Sequence, residues 1–245
     1  MVLSDVLAGA FVVFIATALG ALGVLAIRRL GKRGYSVMLA FAAGTMAFTS
    51  IEMALQSHQA GGDAMLIGGL LCGIMLILLT EHALPHIHMH MKKEELKDSK
   101  KKAILMSGSI ALHNIPEGLS IASAFAASGP FGWLVTASIA LQDIPEGALI
   151  AAPLHAYGIG KRSAVFYGML SGFIEGVAAI AGYLFLDYFR SLVPFALSFA
   201  AGAMTYVVFV EILPDAMAGG RERIAGAAFI FGALVALGIA TIFGG

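Results

Sequence analysis

The sequence predicts an all-α, polytopic membrane protein, and three observations carry that expectation. Hydrophobic residues make up 59% of the 245, only 12% are charged and the mean hydropathy is +0.90, which is more apolar surface than a water-soluble core can hide. Apolar runs of about 20 residues, the length that crosses a bilayer, recur along the whole chain. Lys and Arg cluster in alternate breaks between those runs.

Charged or turn-rich breaks delimit eight predicted spans, near 5–27, 35–57, 64–84, 103–128, 131–156, 162–186, 193–216 and 223–243. The first is too long for a signal-peptide core and is followed by Arg28, Arg29, Lys32 and Arg33 rather than a cleavage site, so it is expected to remain as a helix. The second carries Met46 and Glu52 and ends near His58. In the third lies the single cysteine, Cys72, which cannot form an intrachain disulfide and is read as packing. Thirty glycines suit helices that approach closely in lipid. Nothing is left over for a soluble catalytic domain, so 1–245 is expected to be one transmembrane unit with a hydrophilic His/Lys-rich loop at 85–102.

Fourteen of the fifteen Lys and Arg residues stand in the first, third, fifth and seventh loops, with Arg190 the exception. By the positive-inside rule those loops are cytoplasmic, which puts both termini outside and requires an even number of spans.

The fourth span contains Leu112-His113-Asn114-Ile115-Pro116-Glu117-Gly118, and the fifth contains Leu141-Gln142-Asp143-Ile144-Pro145-Glu146-Gly147. A charge at the centre of a spanning helix costs on the order of 2.5–3.5 kcal/mol, so each needs a partner or a purpose. Spacing of four puts His113 with Glu117, and Gln142 with Glu146, on one helix face. Asn114 and Asp143 project further round and offer a second oxygen cluster, with the glutamates able to bridge both. Pro116 and Pro145 free backbone carbonyls and bend their helices, and Gly118 and Gly147 leave space for a crossing. The fourth span runs outward and the fifth inward, so the motifs form an inverted pair of the kind that builds mid-membrane transport sites.

Carboxylates at Glu117, Asp143 and Glu146 repel unless protonated or bridged by a cation. Imidazole mixed with carboxylate and amide oxygens suits Zn²⁺, Fe²⁺, Mn²⁺, Cd²⁺ or Co²⁺. Glu175 in the sixth span is read as a ligand of a second metal position. Glu211, near the end of the seventh, is either a pathway group or an interfacial acid. Glu52 either draws cations in or rests at the interface, and Met46 offers a thioether or simply packs. His82, His86, His88 and His90 are expected to capture metal weakly in the third loop. His58 and His155 are read as lone interfacial histidines.

With these motifs, the outside termini, the histidine-rich loop and the glutamate of the sixth span, the chain resembles the ZIP (Zrt-/Irt-like) family of metal transporters along essentially its whole length, and its gamma-type or GufA-like prokaryotic members in particular. The resemblance implies a binuclear centre, with His113, Glu117, Gln142 and Glu146, joined by Met46, at one position and Asn114, Asp143, Glu175 and the shared glutamates at the other. It also implies movement of divalent metal toward the cytoplasm by an elevator-like shift of helices, and it admits a homodimer. Many members have histidine where this sequence has Gln142, and some have histidine where it has Val210, which leaves the metal preference open. The expected partners are divalent metal ions, Zn²⁺ first, and the lipid bilayer, with no nucleic acid and no catalytic cofactor. Short loops favour a bacterial inner membrane. Two readings compete: a selective metal channel, and an intramembrane metal-dependent hydrolase, against which stands the lack of a His-Glu-x-x-His motif.

Overall fold

The computed structural model describes residues 3–26, 31–83, 99–156 and 158–243, and every regular element among them is helical. Helix α1 is Leu3–Ala26. The next segment, Lys32–Ala83, is broken at Gly62 into two arms, α2 (32–61) and α3 (63–83). There follow α4 (Ser99–Ala127), α5 (Gly129–Ala156) and α6 (Lys161–Tyr188). After a 3₁₀ turn at Arg190–Leu192, α7 (Val193–Tyr206) runs on through a π-helical stretch, Val207–Ile212, into a last α turn, Leu213–Met217. Glu222–Phe243 forms α8.

These helices begin and end close to the predicted apolar runs. The break at Gly62 has φ 69° and ψ −171°, backbone that is essentially confined to glycine. At the C-terminus of α1, the Lys161 ammonium lies 3.2 Å from the Leu25 carbonyl oxygen and so covers the last carbonyls of that helix.

Helix α1 packs between α5 and α6, α4 against α5, α6 and α7, and the α2–α3 segment against α7 and α8. Glycines bring backbones into direct contact in reciprocal pairs. A Cβ at Gly20 or Gly147 would collide with the carbonyl oxygen of Ile144 or Thr17 across the α1–α5 seam. Gly44 and Gly232 do the same between α2 and α8, and Gly73 and Gly202 between α3 and α7. Gly118 and Gly147, expected to open one crossing between their own two helices, instead admit different neighbours: Gly118 faces the Glu175 carbonyl of α6, and Gly147 faces α1.

One apolar core joins α1, α2, α4, α5 and α7 through Val13, Met53, Ile121, Phe125, Ile139 and Leu197. A smaller one joins α1, α5 and α6 through Val24, Ile150, Leu154 and Val165. Large apolar side chains also point outward, among them Phe11 and Leu19 of α1, Phe166 and Phe173 of α6, and Ile230 and Phe231 of α8. Such a belt is intolerable in water and ordinary in lipid.

By length and hydropathy, six helical segments among the described residues can cross a membrane, with 32–80 counted as one; α4, the most polar of the long helices, is not among them. The chain is an all-helical, multi-pass membrane protein. Cys72, expected to be packing, is exposed on α3. The reason is the solvent: an apolar run in a membrane helix has a lipid face as well as a packed one, and hydropathy does not separate them. His86, His88 and His90 lie outside the described residues, as does the side chain of His82, and α4 starts at Ser99, so most of the 85–102 loop falls outside them too.

Candidate metal centre

Pro116 and Pro145 lie inside α4 and α5 without ending them. Each ring removes one amide donor and loosens the turn before it, which sets the preceding polar pair at a bend. The two motifs also repeat a burial pattern: Asn114 and Asp143 are buried, Ile115 and Ile144 exposed, and Gly118 and Gly147 buried at a helix contact. Helical periodicity then turns Glu117 and Glu146 toward the same interior space.

There, Glu117, Asp143 and Glu146 each place a carboxylate oxygen within 4.8 Å of the other two. Asp143 also lies within electrostatic reach of Glu175, which sits beside Asn114. At an effective dielectric of ~20, two full charges at such a separation repel by about 3–4 kcal/mol. The oxygens are moreover short of partners. Asn114 Oδ1, Glu117 Oε2, and both oxygens of Asp143 and of Glu175 are buried without a hydrogen bond of normal geometry. Such atoms are rare in a folded interior and call for an explanation. A divalent cation supplies one, because it neutralises the cluster and takes up oxygen lone pairs at once.

The remaining ligand candidates surround this group. Gln142 Nε2 donates to Glu117 Oε1 at 2.7 Å, and the Gln142 Oε1 lies 3.3 Å from the Thr45 hydroxyl of α2. His113 Nε2 is 3.2 Å from Glu211 Oε1, so the imidazole reaches across to the π-helical stretch after α7 as well as sharing a face with Glu117. Contacts between helices are thus added to the faces shared within α4 and α5.

A cavity reaches the cluster, walled by Met46, His113, Glu117, Glu146 and Glu211, by Tyr35 and Leu39, and by the exposed Asp215. Gln142, Asp143, Asn114 and Glu175 lie behind that wall, at 0–1% exposure. Two layers result, one lining the cavity and one buried, with Glu117 in contact with both. Met46 is 2% exposed and lines the cavity.

Glu52 is not part of this group: it stands six residues past Met46 on α2, about 9 Å along the axis, and is partly exposed. His58 pairs with Asp63 at 3.2 Å across the Gly62 break, and His155 Nδ1 meets the Ile159 carbonyl oxygen at 3.0 Å, closing the turn after α5. Sequence reasoning missed Tyr35, Leu39, Thr45 and Asp215. Only Asp215 carried a signal, four residues after Glu211 and therefore on its helix face.

Comparison with known proteins places these observations. The family model described as ZIP Zinc transporter matches residues 88–240. "Zinc transporter GufA" of Myxococcus xanthus is 35% identical over 234 residues, which cover 91% of this chain and 92% of that protein. "Zinc transporter ZupT" of Stenotrophomonas maltophilia (strain K279a) is 34% identical over 233 residues, 86% of each chain. "Zinc transporter ZIP11" of Xenopus tropicalis is 42% identical over 146 residues, which cover 57% of this chain and 44% of that relative.

Proposed function

The chain belongs to the ZIP zinc transporter family, and from that premise we propose that it moves Zn²⁺, and with it Cd²⁺, Fe²⁺, Mn²⁺ or Co²⁺, toward the cytoplasm through a two-metal site held by α4, α5 and α6. The observation that carries this reading is the set of buried carboxylate oxygens of Glu117, Asp143 and Glu175 left without a hydrogen bond of normal geometry, beside a cavity lined by Glu117 and Glu146. His113, Glu117, Glu146 and Met46, which line the cavity, hold one cargo position together with the buried Gln142. Asn114, Asp143 and Glu175, with the shared glutamates, hold the deeper one.

The whole chain acts as one transport unit of eight spans, α1 to α8, with both termini outside and α4 and α5 inverted with respect to each other. On that topology the cavity mouth near Tyr35, Leu39 and Asp215 lies on the cytoplasmic side, with Lys32, Arg33, Arg221 and Arg223. The described state therefore faces inward, and an elevator-like shift of the metal-bearing helices exposes the same site outward. Glu52 draws cations in on the outer side. Glu211 takes the departing ion by way of His113, and His82, His86, His88 and His90 collect it in the loop. A homodimer in a bacterial inner membrane is the setting this reading gives it.

Reconstitution in liposomes with an internal metal indicator tests the proposal. Uptake of Zn²⁺ that saturates, and that collapses in folded Glu117→Ala and Glu146→Ala proteins, is the expected result. Metal bound at these residues without flux of any of the five ions would overturn it.

A further inference from the structure

The Thr45 hydroxyl has two neighbours and one hydrogen. It lies 2.8 Å from the Ala42 carbonyl oxygen, one turn back on α2, and 3.3 Å from Gln142 Oε1 of α5. Thr45 and Gln142 are both fully buried. A hydroxyl donates once and accepts twice, whereas a carboxamide offers donors on one side and an acceptor on the other.

Two arrangements satisfy these groups. In the first, Thr45 donates to Gln142 Oε1 and the Gln142 amide donates to Glu117 Oε1, the contact seen at 2.7 Å. The amide nitrogen then points at the space a cation would occupy, where no cation can accept it as a ligand. In the second, the carboxamide turns half a revolution, the Thr45 hydrogen goes to the Ala42 carbonyl oxygen, and Thr45 Oγ1 accepts from the amide. Gln142 Oε1 then faces Glu117. Two acceptor oxygens facing each other repel unless a cation lies between them. A hydroxyl at position 45 supports both arrangements, and no apolar side chain supports either.

We propose that Thr45 is a positioning residue for the cargo: it donates to Gln142 when the site is empty and accepts from it when a divalent ion is loaded, so that the Gln142 oxygen is turned to the metal. The inference rests on the ligand set given under the proposed function. It extends that set to α2, which makes loading sensitive to how α2 and α5 sit against each other.

Zn²⁺ uptake by the full-length protein in liposomes provides the test. Thr45→Val keeps the shape and removes the hydroxyl, Thr45→Ala is a smaller second variant, and Thr45→Ser keeps the hydroxyl. Loss of one buried hydrogen bond is expected to raise KM about tenfold in the Val and Ala proteins. Their maximal rate should stay within about twofold of wild type, and Ser should restore KM. In a Gln142→Ala background, Thr45→Val should add less than about a twofold change. A wild-type KM in both Val and Ala proteins overturns the inference. So does a fall in maximal rate alone, or an undiminished effect in the Gln142→Ala background. Failure of the wild-type protein to take up Zn²⁺ would instead strike the underlying transport reading.

Discussion

At the scale of single residues, the cluster is built from carboxylates that disfavour one another unless a cation or a proton neutralises them. Removing one charge should therefore help the empty protein and harm the loaded one. Asp143→Asn is expected to raise stability in chelator by roughly 1–3 kcal/mol, the repulsion and desolvation it relieves. It should also abolish the stabilisation by Zn²⁺, which is worth about 2.7 kcal/mol at a hundredfold excess over Kd. Thermal unfolding with chelator and with Zn²⁺ checks both signs. Glu211→Gln keeps a hydrogen-bond acceptor for His113 and removes a charge at the cavity wall; a severalfold slower maximal uptake at a nearly unchanged KM is expected from initial rates. Glu117, Asp143, Glu146 and Glu175 were legible in the sequence because a charge inside an apolar run has no cheap explanation. Thr45 was not, because a threonine in a membrane helix usually bonds to its own backbone, as this one does to Ala42. What sets it apart is the arrival of Gln142 from a helix almost a hundred residues away in sequence.

Among the elements, the glycines divide into two kinds with different expected effects. At Gly62 the backbone conformation itself excludes a side chain, so Gly62→Ala should cost about 1–3 kcal/mol in unfolding measurements while leaving the KM of uptake unchanged. Gly147 has ordinary helical backbone, and there the obstacle is the Thr17 carbonyl oxygen. Gly147→Ala forces α1 away from α5 next to Glu146, and both stability, by about 1–3 kcal/mol, and uptake should fall. The helices themselves were readable from hydropathy, and the break between α2 and α3 from the polar turn around Gly61-Gly62-Asp63. Their partners were not readable. Gly118 and Gly147 occupy matching places in two like motifs yet face α6 and α1, because what a small residue admits is decided by packing and not by its neighbours in sequence.

For the molecule as a whole, the cavity gives a prediction about access. Leu39 lines its wall, and the one native thiol, Cys72, lies on α3 and can be replaced. In a Cys72→Ser background, Leu39→Cys should react with a membrane-impermeant thiol reagent applied on the side of Lys32 and Arg33, and not from the other side. Equal labelling from both sides would contradict the inward-facing state proposed above. The expected sidedness rests on the distribution of Lys and Arg along the chain and on insertion energetics, and the labelling tests it. The depth of the cavity was not readable in the sequence, because it depends on gaps between helices remote in sequence.

A π turn holds one residue more than the α turn it replaces, and such turns are uncommon outside functional sites. The stretch Val207–Ile212 therefore holds a residue more than an α-helix of the same rise would. Removing one residue there would keep the glutamate and yet turn it about 100° from His113. In this part of the chain, having a glutamate and aiming it are separate requirements.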